Sequence, residues 1–183
     1  MLETLFAADG AALLWIQEAL RCTVLDPFFQ FYTKLGDVGM LWIVLSLLML
    51  CTKRTRRAGL LGLCAIVVGF LCTNVALKHL FSRTRPWLVV TGLVPLVAEH
   101  DPNSFPSGHT CAAFAAALTW RHTLPRRWMR NTGLVLAVLM GFSRLYVGVH
   151  FPTDVLVGGA VGALCALLVL WICARWKGRS PLR

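Results

Sequence analysis

Charge is scarce in this 183-residue chain: Asp, Glu, Lys and Arg make up 14% of it, where a soluble domain carries roughly a quarter. Acids are the scarcer sign, 8 against 18 Lys and Arg, leaving a net charge of +10. So few charges beside 57% hydrophobic residues exclude an ordinary soluble globular domain. The seven cysteines (Cys22, Cys51, Cys64, Cys72, Cys111, Cys165 and Cys173) contain no C-x-x-C pair. That pattern argues against a thiolate metal centre or redox pair, and their apolar neighbours make them small core residues. Met1-Leu2-Glu3 lacks the basic start of a secretory signal peptide. Linkers, repeats and low-complexity stretches are also missing, so residues 1–183 read as one domain.

What is present is a series of long apolar blocks. Ala58 to Leu77 and Val155 to Ala174 are uncharged and as long as a bilayer-crossing helix requires. Val38 to Thr52 and Thr132 to Ser143 are shorter and need their flanks to cross. In Pro102 to Trp120 only His109 takes a charge near neutral pH. The expected fold is all-α, a polytopic transmembrane helical bundle of five to six spans, with its core in residues 37–175. Residues 1–36 contain Glu18, Arg21, Asp26, Pro27 and Lys34 and fit interfacial or tilted N-terminal helices better than a clean span.

The basic residues form three clusters: Lys53 to Arg57, Arg121 to Arg130, and Arg175, Lys177, Arg179 and Arg183. Threading the spans back and forth places all three on one side, which the positive-inside rule makes cytoplasmic. Topology therefore accounts for the positive charge, and no nucleic-acid partner is expected. The same threading puts Lys78, His79, Arg83, Arg85, His109, Arg144, His150 and Asp154 at the opposite, outer helix ends. Ionisable residues at such positions are costly and functional. The proline-rich segment 81–106 lies on that side too. Its apolar stretch, Pro86 to Ala98, is too short to span and dips into the outer interface, where Trp87 to Ala98 either shapes access for a lipid tail or packs. Glu99, His100 and Asp101 read as a solvated loop, with tuning of headgroup choice as the alternative.

Three segments carry the chemistry. In the first, Lys78 and Arg85-Pro86, the cations stand two helical turns apart and share a face if the helix continues, with Pro86 ending it. In the second, Pro106-Ser107-Gly108-His109, Ser107 is an N-cap at a helix start whose free N–H groups attract anions. His109 in that first turn can give a proton to a departing oxygen. The third runs from Ser143-Arg144 to His150 and Asp154, with Pro152 opening the last helix. Asp154 can fix one ring nitrogen of His150 and leave the other as a nucleophile. Three cations around the same space disfavour a divalent metal, so no metal and no cofactor are expected.

These segments resemble the signature of the type-2 phosphatidic acid phosphatase family, which also includes vanadium-dependent haloperoxidases. Lys78 to Asp154 reproduces all three parts with the family spacing. The resemblance implies that His150 attacks phosphorus, Asp154 orients it, and His109 protonates the leaving oxygen. It also implies that Lys78, Arg85, Ser107, Gly108 and Arg144 bind the phosphoryl oxygens. The implied activity is that of a metal-independent lipid phosphatase in a bacterial inner membrane with an outward-facing site. The partner would be a lipid-linked phosphate or diphosphate, with a polyprenyl diphosphate such as undecaprenyl diphosphate foremost. Phosphatidylglycerol phosphate, phosphatidic acid and phosphate transfer to another lipid are the enzymatic alternatives. A membrane transporter is the non-enzymatic one, and it leaves the nucleophile and acid unexplained.

Overall fold

The computed structural model describes residues 2–179. Met1 and Arg183 lie outside the described residues, as do the side chains of Lys177 and Arg179. The described residues form helices α1 (Leu2–Leu20), α2 (Leu25–Leu35), α3 (Met40–Leu50) and α4 (Arg56–Phe70). After α4 come a π-helical stretch (Leu71–Leu77), α5 (Lys78–Phe81) and α6 (Pro86–Val89). The last three are α7 (Gly108–Thr123), α8 (Arg127–Tyr146) and α9 (Pro152–Arg179). Among the described residues the only extended pairing is an isolated bridge between Thr84 and Asn103.

Helix α7 is the axis of the bundle, packed by α4, α8 and α9. Its Ala113, Ala115, Ala116 and Ala117 are wholly buried, and such small side chains let neighbouring backbones approach closely. The approach is tightest at α9, where Gly158 and Gly162 stand one turn apart. A Cβ on Gly158 would sit 2.5 Å from the Ser107 carbonyl oxygen, and one on Gly162 2.4 Å from that of Cys111. Larger residues fill the other seams, with Trp42 of α3 against Trp120 of α7 at 5.7 Å between ring centroids.

Two continuous helical stretches, Arg56–Phe81 and Pro152–Trp176, are long and apolar enough to cross a membrane. Leu25–Leu35 with Asp37–Leu50 meets the same criterion as a pair bent by 55°. At the bend Val38 (φ 52°) and Gly39 (φ 75°) adopt left-handed backbone, which a β-branched residue rarely does. The π stretch inside Arg56–Phe81 changes the register of its final turn, from which Lys78 enters the bundle.

The first motif is built differently from the sequence expectation. The helix carrying Lys78 ends at Phe81, with Ser82 left-handed at φ 43° and its N–H donating to the Lys78 carbonyl oxygen. Lys78 and Arg85 therefore do not share a helical face. Arg85 is extended, as a residue before proline prefers, and Pro86 opens α6 rather than closing a helix. The stretch after Pro86 packs only in part: Leu93 is buried and Trp87, Leu96 and Val97 cover Ile16, Phe29 and Tyr146, while Leu88, Val89 and Val94 stay exposed.

Both halves of α1 lie against the end of the bundle that holds Lys78, His109 and His150. Asp9 reaches Arg83 and Thr153, Gln17 Nε2 donates to the Gly92 carbonyl at 2.9 Å, and Arg21 Nε donates to the Tyr146 carbonyl at 3.0 Å. The clusters Lys53–Arg57 and Arg121–Arg130 occupy the opposite end, in the α3–α4 and α7–α8 connections and the helix turns that flank them.

Candidate active site

The three motifs meet where the first turn of α7, the last turn of α8 and the start of α9 surround the segment from Lys78 to Arg85. His150 stands in the turn between α8 and α9 and is 2% exposed. Its Nε2 lies 3.1 Å from Nη1 of Arg85. A guanidinium can only donate, so this nitrogen presents its lone pair and the ring is neutral with its proton on Nδ1. That Nδ1 lies 3.5 Å from Oδ2 of Asp154, facing it beyond good hydrogen-bond geometry. Burial pushes the His150 pKa well below its ordinary value, and Arg85, Arg144, His109 and Lys78 add repulsion. Neutrality is what a nitrogen nucleophile needs.

Arg85, 1% exposed, is fixed by donating from Nε to the Asp101 carbonyl and from Nη1 to the Val149 carbonyl, each at 2.9 Å. Arg144 donates from Nη1 to Thr33 Oγ1 at 2.7 Å and pairs through Nη2 with Glu99. Lys78 pairs with Asp101. Ser107 caps α7, its hydroxyl oxygen accepting from the Thr110 N–H at 3.4 Å, and its own N–H donates to the Asp154 carbonyl at 3.0 Å. His109 Nε2 and Asp37 Oδ1, which stands in the turn between α2 and α3, are 3.0 Å apart.

Two chambers adjoin at His109, Glu99 and Val38. The smaller, of about 200 Å³, is lined by Lys78, Arg85, Gly108, His109 and His150, with an apolar wall from Ile66 and Phe70. The larger, of about 590 Å³, is lined by Lys34, Asp37, His100, His109 and Arg144. The sequence-assigned anion binders thus divide. Lys78, Arg85 and Gly108 face the first chamber, Arg144 faces the second, and Ser107 and Asp154 stand behind the chamber walls.

Glu99 and Asp101 are not the solvated loop expected from sequence. Glu99 pairs with Arg144 and lies 3.9 Å from Nη2 of Arg85, while Asp101 holds Lys78. Buried cations without counter-charges are costly, and these carboxylates offset them. Burial opposes the charged form of Asp101, but Lys78 and the Asn103 amide more than compensate, so its pKa falls below the ordinary carboxylate value. Asp9, Thr33, Asp37 and Thr153 also enter the site without having been singled out. The signal for Asp9 was there to be read, since it is a lone carboxylate between apolar neighbours in α1. His79 stays exposed on α5 and takes no part.

A neutral imidazole set among buried guanidinium groups suits an anionic substrate. Residues 58–178 match the sequence model of the PAP2 superfamily, and the chain belongs to that superfamily. It is 34% identical over 152 residues to an undecaprenyl-diphosphatase of Sulfolobus acidocaldarius, covering 83% of this chain and 72% of that one. Two solved structures have TM-scores of 0.76 at 30% identity. Aquifex aeolicus LpxE covers 86% of this chain and 92% of its own, and a PAP2-type phosphatidylglycerolphosphate phosphatase from Bacillus subtilis covers 98% and 90%. This protein is accordingly a membrane lipid phosphatase of the PAP2 type.

Proposed function

We propose that the protein removes the terminal phosphate from a polyprenyl diphosphate through a phosphohistidine on His150, at the extracytoplasmic face of a bacterial inner membrane. The observation that carries the reading is the lone pair of His150 Nε2, held 3.1 Å from Arg85 in a chamber shared with Lys78 and His109. In the first step Nε2 forms a bond to phosphorus as the bond from phosphorus to the bridging oxygen breaks. His109 gives its proton to that oxygen, which leaves as the lipid monophosphate. In the second step water gives a proton to His109 and attacks phosphorus. The N–P bond breaks, releasing inorganic phosphate and neutral His150. Lys78, Arg85 and the Gly108 N–H hold the charge that develops on the transferred group, and Asp154 balances the imidazolium formed midway.

The second chamber favours a diphosphate. His109 borders both spaces, so a leaving group it protonates lies on the far side, where Lys34 and Arg144 can meet a remaining phosphate. The topology follows from the charge map: α3, the α4–α5 rod, α7, α8 and α9 cross, while α1 and α2 lie in the outer interface. The 16 residues of α7 reach about 24 Å and are shielded from lipid by their neighbours. The relative named undecaprenyl-diphosphatase supports the substrate.

The test is phosphate release from undecaprenyl diphosphate, phosphatidylglycerol phosphate and phosphatidic acid by wild type and His150→Ala, with and without a chelator. The expected result is a preference for the polyprenyl substrate, no effect of chelation, loss in the variant, and a base-stable, acid-labile phosphoenzyme. A better glycerophospholipid substrate would replace the substrate assignment and keep the chemistry. Turnover by His150→Ala would remove the nucleophile.

A further inference from the structure

Behind His150 lies a second polar network that no signature motif contains as a whole. Asp154 uses its two oxygens separately. Oδ2 accepts the Phe151 N–H at 2.9 Å and faces His150, while Oδ1 accepts from Nη1 of Arg83 at 2.6 Å. The same Nη1 donates to Thr153 Oγ1 at 2.7 Å, and Nη2 donates to Asp9 Oδ2 at 2.8 Å. Asp9 closes the ring by accepting the Thr153 N–H at 3.2 Å and the Thr153 hydroxyl. Asp9 is 3% exposed, Asp154 is fully buried, and the Arg83 guanidinium carbon lies 4.0 Å over the ring of Phe151.

The order of contacts matters. Arg83 faces away from the phosphate chamber and does not line it. A single cation between Asp154 and Asp9 would be drawn toward whichever carboxylate is nearer. The planar fork instead holds both at fixed spacing, which a lysine could not do. Asp9 belongs to α1, outside residues 58–178 that match the superfamily. A helix with the look of a membrane anchor therefore supplies a buried carboxylate that is linked to His150 through Arg83 and Asp154.

We infer that Asp9 and Arg83 are positioning residues for catalysis, fixing the carboxylate of Asp154 so that it aligns His150, and that α1 is part of the catalytic centre. The inference rests on His150 and Asp154 having the roles proposed above. The order of events is structural: Asp9 and Thr153 hold Arg83, Arg83 holds Oδ1 of Asp154, and Oδ2 is left to face His150 Nδ1.

The experiment compares full-length wild type, Asp9→Asn, Arg83→Lys, Asp154→Asn, His150→Ala and the double variant Asp9→Asn/Asp154→Asn. Phosphate release is measured from undecaprenyl diphosphate and from phosphatidylglycerol phosphate, with melting in detergent as the control for folding. Asp9→Asn and Arg83→Lys are expected to lower kcat about 10- to 100-fold, as misalignment by a fraction of an ångström does, with KM within about twofold. In the Asp154→Asn background, Asp9→Asn should cost nothing further, because it acts through that carboxylate. Thr153→Val, which removes only the hydroxyl, should lower kcat in the same direction and stands in if Asp9→Asn melts early. Wild-type kcat in Asp9→Asn or Thr153→Val, or a full additional loss in the double variant, overturns the inference. Turnover by His150→Ala would instead bring down the underlying mechanism, and this inference with it.

Discussion

Two adjacent glycines on α9 should respond to alanine in opposite ways. Gly158 stands one turn after Asp154 and faces the Ser107 peptide. An added Cβ would lie 2.5 Å from the Ser107 oxygen, 3.2 Å from its nitrogen and 3.3 Å from its carbon, all backbone atoms. That peptide is anchored on both sides, by its N–H to the Asp154 carbonyl and by its oxygen to the Cys111 N–H, each at 3.0 Å. Reaching ordinary contact requires a shift of about 1 Å, a displacement that costs on the order of 100-fold in rate when it reaches reacting groups. Here it moves Ser107, Gly108 and His109 relative to His150. The overpacking itself costs about 1–3 kcal/mol. At Gly159 the nearest atom to an added Cβ is a ring carbon of Phe114 at 3.6 Å, an ordinary contact. There the gain in helix propensity, about 1 kcal/mol, is unopposed. Phosphate release and melting in detergent decide the matter. Gly158→Ala should lose about 100-fold in kcat and melt lower, while Gly159→Ala keeps its activity and melts at or above wild type. Equal behaviour of the two variants would refute the idea that the α7–α9 contact sets the site geometry.

Other outcomes follow from the electrostatics and topology. His150 is neutral in the folded protein, whereas the unfolded chain takes up its proton near 6.5. The unfolded state then binds more protons as pH falls, so this stability is present above about pH 6.5 and is lost below it. Melting from about pH 7.5 to about pH 5 should show the loss, and His150→Gln should flatten that slope. Removing the Glu99 charge frees Arg144 and Arg85 from a competing anion. Glu99→Gln should therefore be inhibited by inorganic phosphate at about tenfold lower concentration, and unchanged inhibition would mean that Glu99 leaves the site without cost. Cysteine labelling from either side of intact cells should find Arg126→Cys inside and His100→Cys outside, and the reverse pattern would invert the proposed orientation.

The helices were legible where apolar length decides the matter. Ala58 to Leu77 and Val155 to Ala174 lie within the two stretches that meet the length and hydropathy criterion alone. Ser107 as the cap of α7 and Pro152 as the first residue of α9 were legible for local reasons, since each needs only its own backbone geometry. The path from Lys78 to Arg85 was not. Seven residues of spacing fit two helical turns, yet Ser82 adopts left-handed backbone and the chain leaves the helix before Arg85. Nothing in Ser-Arg-Thr-Arg demands that exit; the contacts of Arg83 and Arg85 with segments distant in sequence impose it. The bend at Val38 is of the same kind, a backbone state held by its surroundings rather than by its own preference.

The site itself divides along the same line. The motifs supplied its Lys78, Arg85, Arg144, His109 and His150, groups suited to phosphate chemistry at fixed spacing in the chain. Its anions come from elsewhere: Asp9 in α1, Asp37 in the α2–α3 turn, Glu99 and Asp101 in the loop before α7, and only Asp154 from a motif. Five of the eight acids in the sequence therefore stand against site residues or their immediate supports. A chain with so few carboxylates has little reason to spend them in solvent, and buried guanidinium groups give them a use. The shortage of acid that marks this sequence is thus itself information about the site. Each scarce carboxylate in an apolar stretch is a candidate partner for one of the motif cations, and its partner is fixed only when the fold brings distant segments together.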